Sequence, residues 1–271
     1  MITRSACLSE ARPASSYNTR SVLPLIRDLN RLDPEGLNAL HYCSLYNAVG
    51  IANVLLETNL VDVDCMCGKG QTPLVYAAHS GSEDVAKALC QHGATLDLAN
   101  RTGDTALELA VRKRHTGVAS VLIRHGAPLW FGDKLNVLHL AVTTKSHPGS
   151  NVKQLLKEFP SELKAPEILN AFNKNGWTPL HIAAYFGDCD GVEALITAKA
   201  DTTAFHYPDH GEKSDGGTPL DLVRKTIKRI ERTGELSIDH TRIAEKGNYA
   251  IAQFEDRLDG IQQLLEQAMA P

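Results

Sequence analysis

Six segments of this chain repeat one pattern, and nothing else in it limits the fold so tightly. They are DPEGLNALH (33–41), KGQTPLV (69–75), TGDTALE (102–108), DKLNVLH (133–139), NGWTPLH (175–181) and GGTPLD (216–221). Their shared leucines are Leu40, Leu74, Leu107, Leu138, Leu180 and Leu220, so the spacings are 34, 33, 31, 42 and 40. The first three define a unit of about 33 residues, and the last two are that unit with insertions. A unit this short cannot bury its own apolar face, so the units must stack on one another to fold.

Each unit reads as two helices. Thr or Asn two residues before the leucine can satisfy the free amides of a helix start, and Pro at the first helical position loses no hydrogen bond. Small residues follow, as at Ala77-Ala78, Ala110-Val111, Ala141-Val142 and Ala183-Ala184. They let neighbouring units approach closely. A second apolar run, such as VAKALC (85–90) or VASVLI (118–123), supplies aliphatics at helical spacing. Gly93 and Gly126 then stand where a helix ends with positive φ.

These motifs, recurring in phase over about residues 22–268, resemble the ankyrin-repeat family. The resemblance implies an all-α fold: an ankyrin-repeat solenoid of stacked helix-turn-helix units with hairpin fingers and an enlarged C-terminal helical cap. The expected organisation is a disordered tail over 1–20 and a capping helix over 21–32, with Val22, Leu25, Ile26, Leu29 and Leu32 on one face. About six repeats follow over 33–232, with insertions near 157–174 and 202–216, then a loop and a closing helix within 233–271. That last helix, over 248–268, carries Ile251, Phe254, Leu258, Ile261, Leu264 and Leu265 for packing.

Composition narrows the function. With 271 residues, 43% of them hydrophobic, the chain can bury a sizeable core. A net charge of -4 argues against a nucleic-acid binder dominated by phosphate contacts. No apolar run is long enough to span a membrane, and the N-terminus lacks the apolar core of a secretory signal. The six cysteines, at 7, 43, 65, 67, 90 and 189, show no secreted-type framework. The expected setting is therefore reducing: the cytoplasm, with the nucleus as the alternative.

No catalytic, metal or cofactor site is expected. CGKGQTP (67–73) has the wrong order for a phosphate loop, and no metalloprotease or hydrolase motif is present. By the resemblance, His41, His139 and His181 join neighbouring repeats through hydrogen bonds. Cys65 and Cys67 read as exposed thiols on a loop tip; a tolerated loop sequence and half of a soft-metal site are both open. His206, Asp209 and His210 could equally be polar finger residues.

The resemblance implies protein recognition, through the finger tips and the exposed ends of the first helices that line a concave groove. In the first two repeats those positions include Leu37, Leu45, Tyr46, Met66, Lys69, Gln71 and His79. Arg112 and Lys113 follow in the third, then Leu135, Thr143 and Thr144, with Trp130 and Phe131 on a shortened finger. The fifth repeat offers Trp177, Tyr185 and Phe186. Exposed aromatic and Arg side chains are typical binding anchors. The strip suits a partner protein with acidic residues between apolar anchors. Two readings of the aromatics stay open: they meet a partner, or the insertions at 158–170 and 202–213 fold over them.

The basic run Arg224, Lys225, Lys228, Arg229 and Arg232 is either an anion site or a solvated face paired with acids of the closing helix. The leading reading is thus a non-catalytic adaptor, scaffold or inhibitor, and a monomer is favoured. The alternatives are an enzyme or ligand-binding protein built on the insertions, and a self-associating structural protein.

Overall fold

The computed structural model describes residues 30–142, 150–205, 216–233, 237–238, 241–242 and 247–270. Among them the chain runs through α1 (Ala39–Tyr46), α2 (Val49–Glu57), α3 (Pro73–Ser80), α4 (Glu83–Gln91), α5 (Ala106–Arg112), α6 (Thr116–Arg124) and α7 (Val137–Val142). There follow α8 (Ser150–Glu158), the short α9 (Pro160–Leu163) and α10 (Pro166–Leu169), α11 (Pro179–Tyr185), α12 (Cys189–Thr197) and α13 (Pro219–Thr233). A two-residue antiparallel pair, β1 (Ser237–Ile238) with β2 (Thr241–Arg242), precedes α14 (Gly247–Met269). The architecture is the helical solenoid expected.

Two compact units result. Among the described residues, one comprises those up to 110 together with 117–128; the other comprises 111–116 and those from 129 onward. In the first, α1 packs on α3 and α2 on α4. In the second, α7 packs on α11, α8 on α12, and α14 lies against both α12 and α13. The repeat leucines are the buried centre of each layer: Leu40, Leu74, Leu107, Leu138 and Leu180 are essentially sealed from solvent, and Leu220 is buried.

One capping device starts every first helix. The Thr or Asn two residues before the leucine accepts the N–H of the residue after it: Asn38 from His41 (3.1 Å), Thr72 from Val75 (3.3 Å), Thr105 from Glu108 (3.3 Å). Asn136, Thr178 and Thr218 accept in the same way from His139, His181 and Asp221. Each bond satisfies an amide that the helix itself leaves open, for about 1 kcal/mol of stability.

The three histidines then tie repeat to repeat. Nε2 of His41 donates to the Gln71 carbonyl (3.0 Å), that of His139 to the Trp177 carbonyl (3.0 Å), and that of His181 to the Gly217 carbonyl (3.2 Å). Nδ1 meanwhile accepts a cap-residue N–H, from Asn38, Asn136 or Thr178. The ring spans one repeat's cap and the next repeat's finger, as expected for its structural role. Burial disfavours the charged ring, pushing His139 down to about 4 and His41 below its ordinary value.

The expected capping helix over 21–32 lies outside the described residues except for 30–32, which form turn and irregular chain. There Asn30 clamps the loop after α2, donating to the Leu60 carbonyl (2.7 Å) and accepting the Asp62 N–H (2.9 Å). The first insertion forms α9 and α10 and packs through buried Phe159, Leu163, Ile168 and Leu169. The closing helix buries Leu258, Ile261 and Leu265. The tip of the second insertion, with Tyr207, His206, Asp209 and His210, lies outside the described residues, as do Thr143 and Thr144.

Candidate functional site

The fingers are built from one short closed loop. Seven residues before five of the six repeat leucines, a backbone N–H donates to the carbonyl four residues on: Asp33 to Leu37, Cys67 to Gln71, Asn100 to Asp104, Phe131 to Leu135 and Asn173 to Trp177, all at 2.8–3.0 Å. The tip needs a left-handed residue, supplied by Gly36 (φ 82), Gly70 (φ 69), Gly103 (φ 87) and Gly176 (φ 74). Asp33, Asn100 and Asn173 finish the loop by accepting two N–H groups each with the side chain.

Cys67 holds that same place in the second finger, and its Sγ lies 3.4 Å from the Lys69 N–H it accepts. This corrects the sequence expectation. Cys67 is buried, not displayed, because its side chain turns inward to close the loop; Cys65 is only partly exposed. Leu37, read as part of the exposed strip, is likewise buried. Among the described residues no group of three or more His, Cys, Asp or Glu side chains is placed to hold a metal ion.

On the fifth finger the backbone of Trp177 is held from both sides. Its N–H donates to Asn173 Oδ1 (3.0 Å), and its carbonyl accepts from His139. α11 ends at Tyr185 with Phe186 as its cap. The three rings meet edge to face: Trp177 and Tyr185 have centroids 4.9 Å apart at 72°, and Tyr185 and Phe186 are 5.4 Å apart at 82°. This arrangement sets positive ring edges on negative ring faces. All three stay partly exposed, so the insertion at 158–170 does not bury them.

The other expected residues are placed as follows. Trp130 is exposed, its backbone bridged to Asn136, while Phe131 is partly exposed. Arg112 and Lys113 are exposed at the end of α5 and belong to the same unit as the aromatic trio. Tyr46 and His79 are exposed at the ends of α1 and α3 in the other unit. In the basic run, Arg224 donates to Glu266 (2.7 Å) and Lys225 to the Gly216 carbonyl (2.9 Å), which favours a solvated, internally paired face. The sequence reading missed Phe172, which is exposed on the fifth finger. Its register, eight residues before Leu180 as Trp130 is eight before Leu138, was the available signal.

A family model for ankyrin repeats, three copies long, matches residues 50–133 and 127–206, more than half of the chain. The chain belongs to the ankyrin-repeat family. Over 67% of its length it is 25% identical to the ankyrin repeat protein nuc-2 of Neurospora crassa, covering 16% of that protein. Over 78% of its length it is 30% identical to the nuclear factor NF-kappa-B p105 subunit of Mus musculus, covering 21%. It spans 16–34% of the length of the curated relatives it matches. The ankyrin repeat domain of Bcl-3 superposes with a TM-score of 0.60 at 21% identity, over 88% of each chain. Ankyrin repeats serve in general as protein-interaction modules, and among the described residues no helix is long and apolar enough to cross a membrane.

Proposed function

We propose that this ankyrin stack is a non-catalytic recognition module that binds a partner protein through the aromatic and basic surface of its C-terminal unit. The Trp177–Tyr185–Phe186 cluster carries the reading: three large rings fixed in mutual contact, yet left partly open to solvent. A rigid aromatic cluster loses little conformational freedom on binding, and Trp, Tyr and Arg dominate interface energetics. Arg112 and Lys113 add positive charge to the same unit, which favours a partner segment with acidic residues between apolar anchors. Trp130 and Phe131 extend the surface along the preceding finger. Tyr46 and His79 offer equivalent positions in the N-terminal unit. The groups whose ionisation moves furthest do not suggest catalysis: His139 is engaged between repeats, Tyr76, pushed up to about 12 mainly by burial, packs edge-on to His41, and burial pushes the Cys90 thiol up to about 11, away from the reactive thiolate.

The test is capture from native lysate by the intact protein beside Trp177→Ala/Tyr185→Ala/Phe186→Ala of matched thermal stability, followed by affinity measurement on the captured partner. Loss of an anchor should cost about 2 kcal/mol or more, roughly thirtyfold in Kd. Arg112→Glu/Lys113→Glu should weaken the same complex and flatten its salt dependence. Unchanged capture by both variants would overturn the reading.

A further inference from the structure

Every described finger exposes the side chain eight residues before its repeat leucine. Leu32 (48%), Met66 (48%), Trp130 (44%) and Phe172 (46%) are large hydrophobics in that one register, and Ala99 is exposed there too. Backbone alternation explains the regularity. The next residue turns its side chain inward to close the loop, as Asp33, Asn100 and Asn173 do, so the residue before it must turn out. The fold obliges this position to be exposed; it does not oblige it to be apolar.

In the C-terminal unit the two anchors are Trp130 and Phe172. The 42-residue spacing between their leucines does not break the register, because His139 still reaches the Trp177 carbonyl as His41 reaches Gln71. The two anchors therefore stand one repeat apart, about 8–10 Å by the packing distance of neighbouring helices. Lys134 and Lys174 are exposed at the tips of the same two fingers; Asp133 is the one acid in those finger sequences. A helix returns to the same face after seven residues, about 10.5 Å, close to the upper end of that spacing. An extended strand repeats its face at about 6.8 Å and falls out of step with the fingers.

We propose that the outer face of these two fingers docks an amphipathic acidic helix of a partner protein, with apolar residues seven apart seated on Trp130 and Phe172 and carboxylates toward Lys134 and Lys174. This surface extends the recognition reading and does not use Tyr185 or Phe186. The probe is a displayed library of acidic helical peptides, each with two apolar residues at a spacing of about four, five, seven or nine, selected on the intact protein. Enrichment of the seven-residue spacing is expected. A resynthesised winner should bind about tenfold more weakly to Trp130→Ser, to Phe172→Ser and to Lys134→Glu/Lys174→Glu, and unchanged to Tyr185→Ala/Phe186→Ala. The substituted side chains are exposed, so these variants should fold, and circular dichroism melts confirm it. No enriched spacing, or winners indifferent to Trp130 and Phe172, overturns the proposal. Winners lost only in Tyr185→Ala/Phe186→Ala overturn it as well, while leaving the aromatic-cluster reading standing.

Discussion

The second finger and the fourth perform the same turn with different parts. In the N-terminal unit the tip glycine of the second finger, Gly70, lies so close to its neighbour that a Cβ there would come within 3.3 Å of the Arg101 amide. Gly36 is tighter still, with a Cβ position 2.8 Å from the Gly68 amide, and the Gly68 N–H donates to the Glu35 carbonyl (3.0 Å). The fourth finger, in the C-terminal unit, has Lys134 at the tip with φ 58 and Phe131 in place of the loop-closing acceptor. Its loop is held by backbone bonds without a closing side chain: the Phe131 N–H donates to Leu135 (2.8 Å), the Leu135 N–H to Gly132 (3.2 Å) and the Val137 N–H to Leu129 (3.0 Å). The first and second fingers are close-packed at their tips; the fourth gives up the tip glycine and the closing side chain and carries Trp130 and Phe131 instead. Stability relinquished at exposed positions is the usual mark of a surface under a second constraint.

That comparison can be broken or sharpened by experiment. Leu74→Ala and Leu195→Ala each remove a fully buried leucine, one per unit, and each should cost about 2–5 kcal/mol. Hydrogen exchange should accelerate chiefly in the unit that carries the change; uniform acceleration across both would erase the distinction between them.

The next effect is proton-linked. His139 has a folded-state value of about 4, below the usual 6.5, so the unfolded chain binds the extra proton between those limits. Its contribution is fully present above about pH 6.5 and is lost as the pH falls toward 4. The size is roughly 3 kcal/mol. Urea unfolding of the protein and of His139→Gln from pH 7 to pH 4 tests this: the variant should be less stable at pH 7 and lose part of the slope in that window. Parallel curves would refute it.

Smaller changes address the tips directly. Gly70→Ala should destabilise by about 1–2 kcal/mol, since it strains the left-handed turn and crowds Arg101. Lys134→Gly should instead stabilise by about 0.5–1 kcal/mol, because it relieves a strained lysine. Matching signs in the two thermal melts would mean the fingers do not differ as described. Least of all, Arg224→Ala, which removes an exposed ion pair with Glu266, should leave the melting temperature unmoved within error.

Much of this was legible from spacing alone. The six leucines gave the layers, the Thr and Asn residues before them gave the caps, and Gly93 (φ 82) and Gly126 (φ 85) end their helices as expected. Where the reading went astray, it judged single residues instead of registers. Cys67 looked like a displayed thiol until its alignment with Asp33 and Asn100 put it in the inward, loop-closing place. Phe172 went unnoticed although it shares its register with Trp130. Leu37 was taken for a strip residue, yet it is buried.

By itself, then, the sequence determined the repeat, the helix starts and the buried leucines, while the inter-repeat role of the histidines came from the family resemblance. The first three follow from local chemistry that recurs at a fixed period, and every copy reinforces the same answer. Only the tertiary structure decided how open each surface ring is. Exposure is a property of what packs over a side chain from other parts of the chain, and no local pattern encodes it. The insertion over 158–170 could have covered Trp177, Tyr185 and Phe186. It packs instead through Phe159, Leu163, Ile168 and Leu169, and the three rings remain partly exposed because its own apolar side chains are already buried.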